Sequence, residues 1–314
     1  MDITTFKICR RIVNGCGSFY GNIAEEAASL NGHRIFLVCD PILAKLGLTE
    51  KTAALLREKG FEVAIHADVE PEPRVESVLA AAEQARAFGA DCVIGIGGGS
   101  SLDTAKTCSV LLGNQQDIRE LYGIEKVSKP GAPLILVPTS AGTGSEVTDI
   151  AILSDETAQL KMGIVSRHML PASVILDPEL TLSLPKGPTA ASGMDALIHA
   201  MEAYTSIHAT PLTDMWAEHA IALIAPNLRK AWARGEDIQA RQAMLTGSFY
   251  AGVAFCNAGV TAVHAFAYPI GARYHIPHGL ANTLMLLPVF RFNMVGNMER
   301  FARLAAMLGE NTTG

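Results

Sequence analysis

Between His33 and Ser140 the chain repeats one pattern: a short β-branched and aliphatic run, a glycine or polar break, then a longer stretch with helical spacing. "HRIFLVCD" (33 to 40) reads as a buried strand, "ILAKLGLTEKTAALLREKG" (42 to 60) as helix and "FEVAIHA" (61 to 67) as strand. "PRVESVLAAAEQARAFGA" (73 to 90) is again helical, "DCVIGIGGGS" (91 to 100) a strand running into glycines, and "PLILVPTS" (133 to 140) a further strand. Parallel neighbours need a crossover long enough to hold a helix, so this alternation predicts βαβ units around a parallel sheet.

The pattern changes near Ile150. "IAILSD" and "LKMGIVS" flank the turn-like "SDETAQ" and predict a hairpin, and "SVILDPELTLSLP" (173 to 185) closes the strand-rich half. From Thr189 onward nearly every segment has helical spacing. A chain of 314 residues outgrows one simple core. The expected fold is therefore α/β plus all-α: an α/β domain with a Rossmann-like parallel sheet over 1–183, and a helical domain over 184–314.

Composition narrows the function classes. A net charge of −6 offers no basic surface for nucleic acid or anionic lipid. Six cysteines without a CxxC pair, several in apolar segments, predict a reducing compartment without disulfides. The N-terminus lacks the basic-then-apolar order of a signal peptide, so a cytoplasmic location is expected. The uncharged run from Gln242 to Ala272 is long enough to span a bilayer, but its Gly, Ala, Ser and Thr content, Asn257, His264 and Pro269 favour helices packed inside protein. No membrane association is expected.

Two glycine loops follow strands. "GIGGGSSLDTAK" (95 to 106) opens a helix, where backbone N–H groups and the positive helix end receive phosphate; Gly97, Gly98, Gly99, Ser100 and Asp103 are its candidate contacts. It matches neither GxGxxG nor a Walker A loop. "PTSAGTGSEVT" (138 to 148) adds the hydroxyls of Thr139, Ser140, Thr143 and Ser145. Ligands of open parallel sheets bind at the carboxyl ends of strands, so the two loops reinforce one another. Asp40, at the end of "FLVCD", can bond ribose hydroxyls and repel a 2′-phosphate, favouring NAD over NADP, or can cap the helix that starts at Pro41.

"GMDALIHAMEAY" places Asp195 and His199 four apart, on one face of a helix. Their neighbours are apolar, and a buried carboxylate needs compensation, which a divalent cation provides. Two more donors are required. "AVHAFAYPIGARYHIPHG" (262 to 279) offers His264, with either His275 or His278, which spacing alone does not separate. Asp plus three His suits Fe²⁺ or Zn²⁺ and is too nitrogen-rich for Mg²⁺ or Ca²⁺.

"GGGSSLDTAK", "PTSAGTGSEVT", "ASGMDALIHAMEAY" and "HAFAYPIGARYHIPHGLAN" occur in the order and approximate spacing of the iron-containing (group III) alcohol dehydrogenases, which this chain resembles over nearly its whole length. The resemblance implies Asp195, His199, His264 and His278 as metal ligands. It also implies nicotinamide-cofactor contacts from Asp40, Gly98, Gly99, Thr139, Ser140, Lys161 and Leu180, a small alcohol or aldehyde as substrate, and a homodimer. The implied architecture, shared with dehydroquinate synthase, joins an α/β dinucleotide-binding domain to a helical metal-binding domain. Some members carry a histidine where this chain has Tyr268, and family chains usually run further, so a truncated helical domain is expected.

The reaction implied is reversible hydride transfer between alcohol and nicotinamide, with the metal polarising the substrate oxygen. The proton can leave through the cofactor ribose or through Tyr268 or His275, each side chain equally readable as structural, and Phe255, Phe266 and Tyr274 are candidate substrate neighbours. Glu146 and Asp149 are expected to orient the second loop or to face water. Two alternatives stay open. A sugar-phosphate cyclase of the same layout would need basic residues beside the metal motifs, and an inactive cofactor-binding remnant would show no turnover.

Overall fold

The structure is a computed structural model describing residues 3–274 and 276–311. Its strand-rich half contains β1 (Arg11–Asn14), β2 (Arg34–Val38), β3 (Glu62–His66), β4 (Cys92–Gly97), β5 (Gly123–Ile124), β6 (Leu134–Pro138), β7 (Ile150–Asp155), β8 (Leu160–Val165) and β9 (Ser173–Leu176). Between them lie helices α1 (Ser18–Ser29), α2 (Pro41–Lys45), α3 (Leu48–Glu58), α4 (Val75–Phe88) and α5 (Gly99–Gly113). Six strands form one parallel sheet in the order β1-β9-β6-β4-β2-β3. From β2 the chain steps to β3 on one side and then to β4 on the other. Strand order therefore reverses between β2 and β4, the kind of position where doubly wound sheets take their ligands.

The buried strands are the aliphatic runs. Phe36, Val38, Val93, Leu134 and Leu136 pack with Leu102 and Ala105 of α5. A Cβ on Gly95 would stand 2.6 Å from Ala105 Cβ and 2.8 Å from Leu136 Cδ2. The bare glycine thus lets α5 lie close on β4, fixing where the helix N-terminus emerges.

The predicted hairpin is present: β7 and β8 pair antiparallel from Ile150↔Val165 to Asp155↔Leu160, and β5 joins them in a separate sheet. The single helix expected over 42 to 60 is two, α2 and α3, interrupted at Gly47, whose φ of 78° is left-handed. All six cysteines are thiols. Burial pushes the thiols of Cys9, Cys92 and Cys108 up to about 12 and that of Cys39 to about 11, whereas Cys16 is exposed.

The second half contains α6 (Lys186–Thr205), α7 (Pro211–Ala233), α8 (Ile238–Ala258), α9 (Ala262–Tyr274), α10 (His278–Asn293) and α11 (Met298–Met307). The chain separates into two compact units. One comprises Ile8–Thr139 and Ser145–Asp177; the other contains Ser140–Gly144 and the chain from Pro178 onward. The change of unit therefore falls at Asp177/Pro178, ahead of the expected 183/184. Among the described residues no single helix is long and apolar enough to cross a membrane, and the uncharged run bends by 104° between α8 and α9.

Candidate metal centre and cofactor loops

In the α/β unit, Gly97 ends β4 and Gly98 and Gly99 lead into α5, a 15-residue helix whose N-terminus has no side-chain cap. Its first N–H groups are thus available to an anion. Asp40 stands at the neighbouring strand end. Its Oδ1 accepts from Ile42 N (2.9 Å) and Leu43 N (3.0 Å), capping α2, while a Cβ on Gly97 would lie 3.3 Å from its Oδ2. The cap and a carboxylate oxygen directed to the switch point therefore coexist. Thr139, buried at the end of β6, donates its N–H to Gly97 O at 3.0 Å, tying the second loop to the first.

Other expected contacts have protein partners. Ser145 Oγ donates to Asp103 Oδ1 (2.5 Å), and Asp103 Oδ2 accepts from Ile152 N (3.0 Å), so both side chains brace the hairpin against α5. Lys161 Nζ donates to Glu72 Oε1 at 2.6 Å, and Ser100 Oγ accepts from Glu72 N. Glu146 and Asp149, expected to orient the loop or face water, are 2% and 1% exposed and face the interior. Fully buried Lys106 lies near them, donating to Thr148 Oγ1 and Ile150 O.

In the helical unit, Ser140 and Thr143 lie half-buried in the segment 140–144, and Leu180 is half-buried in the turn Pro178–Thr181. The carbonyl of Gly142 accepts from His199 Nδ1 at 3.3 Å. His199 shares α6 with Asp195, as the spacing predicts, and both are buried. His264 comes from α9; its donor atom and those of Asp195 and His199 all lie within 4.8 Å of one another, a set able to hold a metal ion. His264 Nε2 is 3.5 Å and His278 Nε2 3.7 Å from Asp195 Oδ1. His278 begins α10, where Gly279 packs on α6: a Cβ there would meet Ala191 O at 2.1 Å. His275, the other candidate at this position, lies outside the described residues.

Two side chains not anticipated from the sequence complete the cluster. Asn282 Nδ2 donates to Asp195 Oδ1 (2.7 Å) and lies 3.0 Å from His264 Nε2 and 3.2 Å from His278 Nε2. In the form that binds metal, with the Nε2 atoms of His264 and His278 unprotonated, two amide protons face three acceptors, and Asn282 Oδ1 is buried without a hydrogen-bond partner. This excess of lone pairs is what a divalent cation relieves, and the one-carboxylate, three-imidazole set fits Fe²⁺ or Zn²⁺. Glu202, also on α6 and fully buried, forms a short hydrogen bond with His264 Nδ1.

Electrostatics keep the donors in usable states. Burial alone would raise the Asp195 carboxyl, but His199, His264 and His278 outweigh it and hold the group well below the usual range. Burial lowers His199 to about 4, leaving it neutral at neutral pH. Burial also disfavours charge on His264, yet its bonds to Asp195 and Glu202 raise it to about 9. A metal must therefore displace a proton there. Aromatic rings cover the cluster: Phe255 stacks on His199 at 4.2 Å between ring centroids, and Tyr268 on His278 at 5.3 Å. Phe266 and Tyr274 are exposed.

Comparison with known proteins gives a consistent result. Residues 9–178 match the family model "Iron-containing alcohol dehydrogenase", and residues 189–314 match "Fe-containing alcohol dehydrogenase family, C-terminal". The long-chain-alcohol dehydrogenase 1 of Geobacillus thermodenitrificans is 44% identical over 295 residues, covering 93% of this chain and 74% of that protein. A crystal structure of 1,3-propanediol oxidoreductase superposes with a TM-score of 0.96 at 40% identity, covering 100% of this chain and 82% of the other. The sulfoacetaldehyde reductase of Bifidobacterium kashiwanohense, solved in complex with NAD⁺, has a TM-score of 0.88 at 30% identity, over 99% of this chain and 88% of its own.

Proposed function

Because the chain belongs to the iron-containing alcohol dehydrogenase family, we propose that it interconverts small primary alcohols and aldehydes with NAD, holding one Fe²⁺ through Asp195, His199, His264 and His278. The observation that carries this reading is the convergence of an ionised carboxylate and imidazole nitrogens on one buried point in the helical unit. When bound, the metal supplies Lewis acidity toward the substrate oxygen and the nicotinamide supplies the hydride acceptor.

The chain's residues prepare that chemistry. The Gly142 carbonyl turns His199 so that Nε2 is its free donor. Phe255 and Tyr268 cover imidazole faces and limit access of water. The uncapped N-terminus of α5 receives pyrophosphate, and Asp40 Oδ2 favours a free ribose hydroxyl over a 2′-phosphate. Names of relatives extend the substrate range to long-chain alcohols, 1,3-propanediol and sulfoacetaldehyde. We take an unbranched primary alcohol or its aldehyde as the shared class.

The test is net NADH formation from ethanol, propane-1,3-diol and longer primary alcohols by protein loaded anaerobically with Fe²⁺ or with Zn²⁺. Turnover with iron is expected. Metal-loaded, folded protein that forms no NADH from any of them, and oxidises none with the aldehydes, overturns the reading; a cyclase would return its cofactor unchanged. Asp40→Ser keeps a capping hydroxyl for α2 but removes the charge. It should raise kcat/KM for NADP by about tenfold or more while lowering that for NAD, since one tenfold step is only about 1.4 kcal/mol. Unchanged discrimination would remove Asp40 from cofactor choice.

A further inference from the structure

Glu202 lies on α6 seven residues after Asp195 and three after His199, and its side chain is completely buried. A buried carboxylate must have its lone pairs satisfied. Oε1 accepts from the backbone N–H groups of Thr261 and Val263, both at 2.9 Å, and from the Thr261 hydroxyl. These amides open α9, so a carboxylate from another helix performs the task usually left to an N-cap side chain. Oε2 meets His264 Nδ1 in a short hydrogen bond.

We propose that Glu202 is the positioning residue of the metal centre: with one oxygen it caps α9, and with the other it accepts the Nδ1–H of His264, which keeps the proton on Nδ1 and leaves the Nε2 lone pair to face the metal position beside Asp195. This rests on the reading of Asp195, His199, His264 and His278 as metal ligands. Imidazole has two nitrogens and in its neutral form one proton, so fixing the proton on Nδ1 selects the metal-binding atom. Glu202 also joins two elements. The α6 ligands and the α9 ligand are held in register by one carboxylate. His199 receives the same tautomeric selection from Gly142 O, so two of the imidazoles have Nδ1 engaged away from the cluster.

Glu202→Gln separates the roles, because a carboxamide has one acceptor oxygen where the carboxylate has two. Three donors face Oε1 and one faces Oε2, so the amide oxygen is expected to stay with the cap and turn its NH₂ group to His264 Nδ1. That nitrogen must then accept, which moves the ring proton to Nε2. The experiment measures Zn²⁺ affinity by chelator competition, thermal unfolding without metal, and the imidazole N–H signals of ¹⁵N-histidine-labelled, zinc-loaded protein. The variant should melt close to the wild type yet bind Zn²⁺ 10- to 100-fold more weakly, the usual cost of losing such a partner. The deshielded Nδ1–H signal of His264 should be present in the wild type and absent in the variant. Glu202→Asp, which keeps both oxygens, should recover part of the affinity. A lower melting temperature with unchanged Zn²⁺ affinity would make Glu202 a cap alone and overturn the proposal; so would unchanged affinity and melting together. Wild-type protein that binds no Zn²⁺ removes the metal reading itself, and is seen before any variant is compared.

Discussion

Asp195→Asn is expected to leave the helical unit folded while bound metal falls from near one ion per chain to background and NADH formation drops by about a thousandfold or more, the scale set by losing several kcal/mol of charge stabilisation. The amide matches the carboxylate in shape and keeps an oxygen for Asn282 Nδ2. What it loses is charge. Asp195 is the anion among the four proposed ligands, in a buried setting where electrostatic terms are weakly screened. Its carboxyl is held well below the usual carboxylate range, the histidines around it outweighing burial, so no choice of buffer near neutral pH should mimic the variant. Metal per chain by mass spectrometry and far-UV circular dichroism decide the matter together. A folded variant with wild-type metal content means that the ion, if one is held, sits elsewhere.

The parts of this arrangement differ in how far they can be read from sequence, for physical reasons. β2, β4 and β6 are legible because each is an aliphatic run bounded by a polar or glycine break and buried in a parallel sheet, and β3, half-buried at the sheet edge, keeps the same run-and-break pattern. β1 is four residues, three of them exposed, and β5 is two; neither carries a hydrophobic pattern. Asp195 and His199 are legible because a helix converts a spacing of four into a shared face. The convergence of α9 and α10 on α6 depends on tertiary packing, including the close approach at Gly279, and spacing cannot express it. Glu202 extends the same helical face, and Asn282 follows His278 by one turn. Both periodicities were available, but a glutamate is usually exposed, and nothing local shows that its partners are backbone amides from another helix. Asp40 fits both of its sequence readings, because a carboxylate has two oxygens.

Glu146 is another residue whose burial the sequence concealed, and it predicts a pH effect on stability. Burial pushes its carboxyl from an ordinary 4.5 up to about 7, against the smaller opposing effects of its backbone hydrogen bond and Lys106, and its Oε1 has no hydrogen-bond partner. A group raised on folding contributes stability that is fully present below its unfolded value and is lost as pH rises through its folded value. The loss runs from pH 4.5 to just above 7 and amounts to about 3 kcal/mol. Glu146→Gln keeps the shape and cannot ionise. Relative to wild type, the variant should therefore gain about 3 kcal/mol between pH 4.5 and pH 8, measured by urea unfolding at both. Other titrations are common to the two proteins and cancel in the comparison. Parallel profiles would mean that Glu146 is ionised in the folded chain throughout, with Lys106 as an effective counter-charge. The effect bears on the second glycine loop because Glu146 lies between Ser145, which donates to Asp103, and Thr148, which accepts from Lys106. Ionising it adds an unsatisfied charge to the stretch of sequence proposed to meet the cofactor.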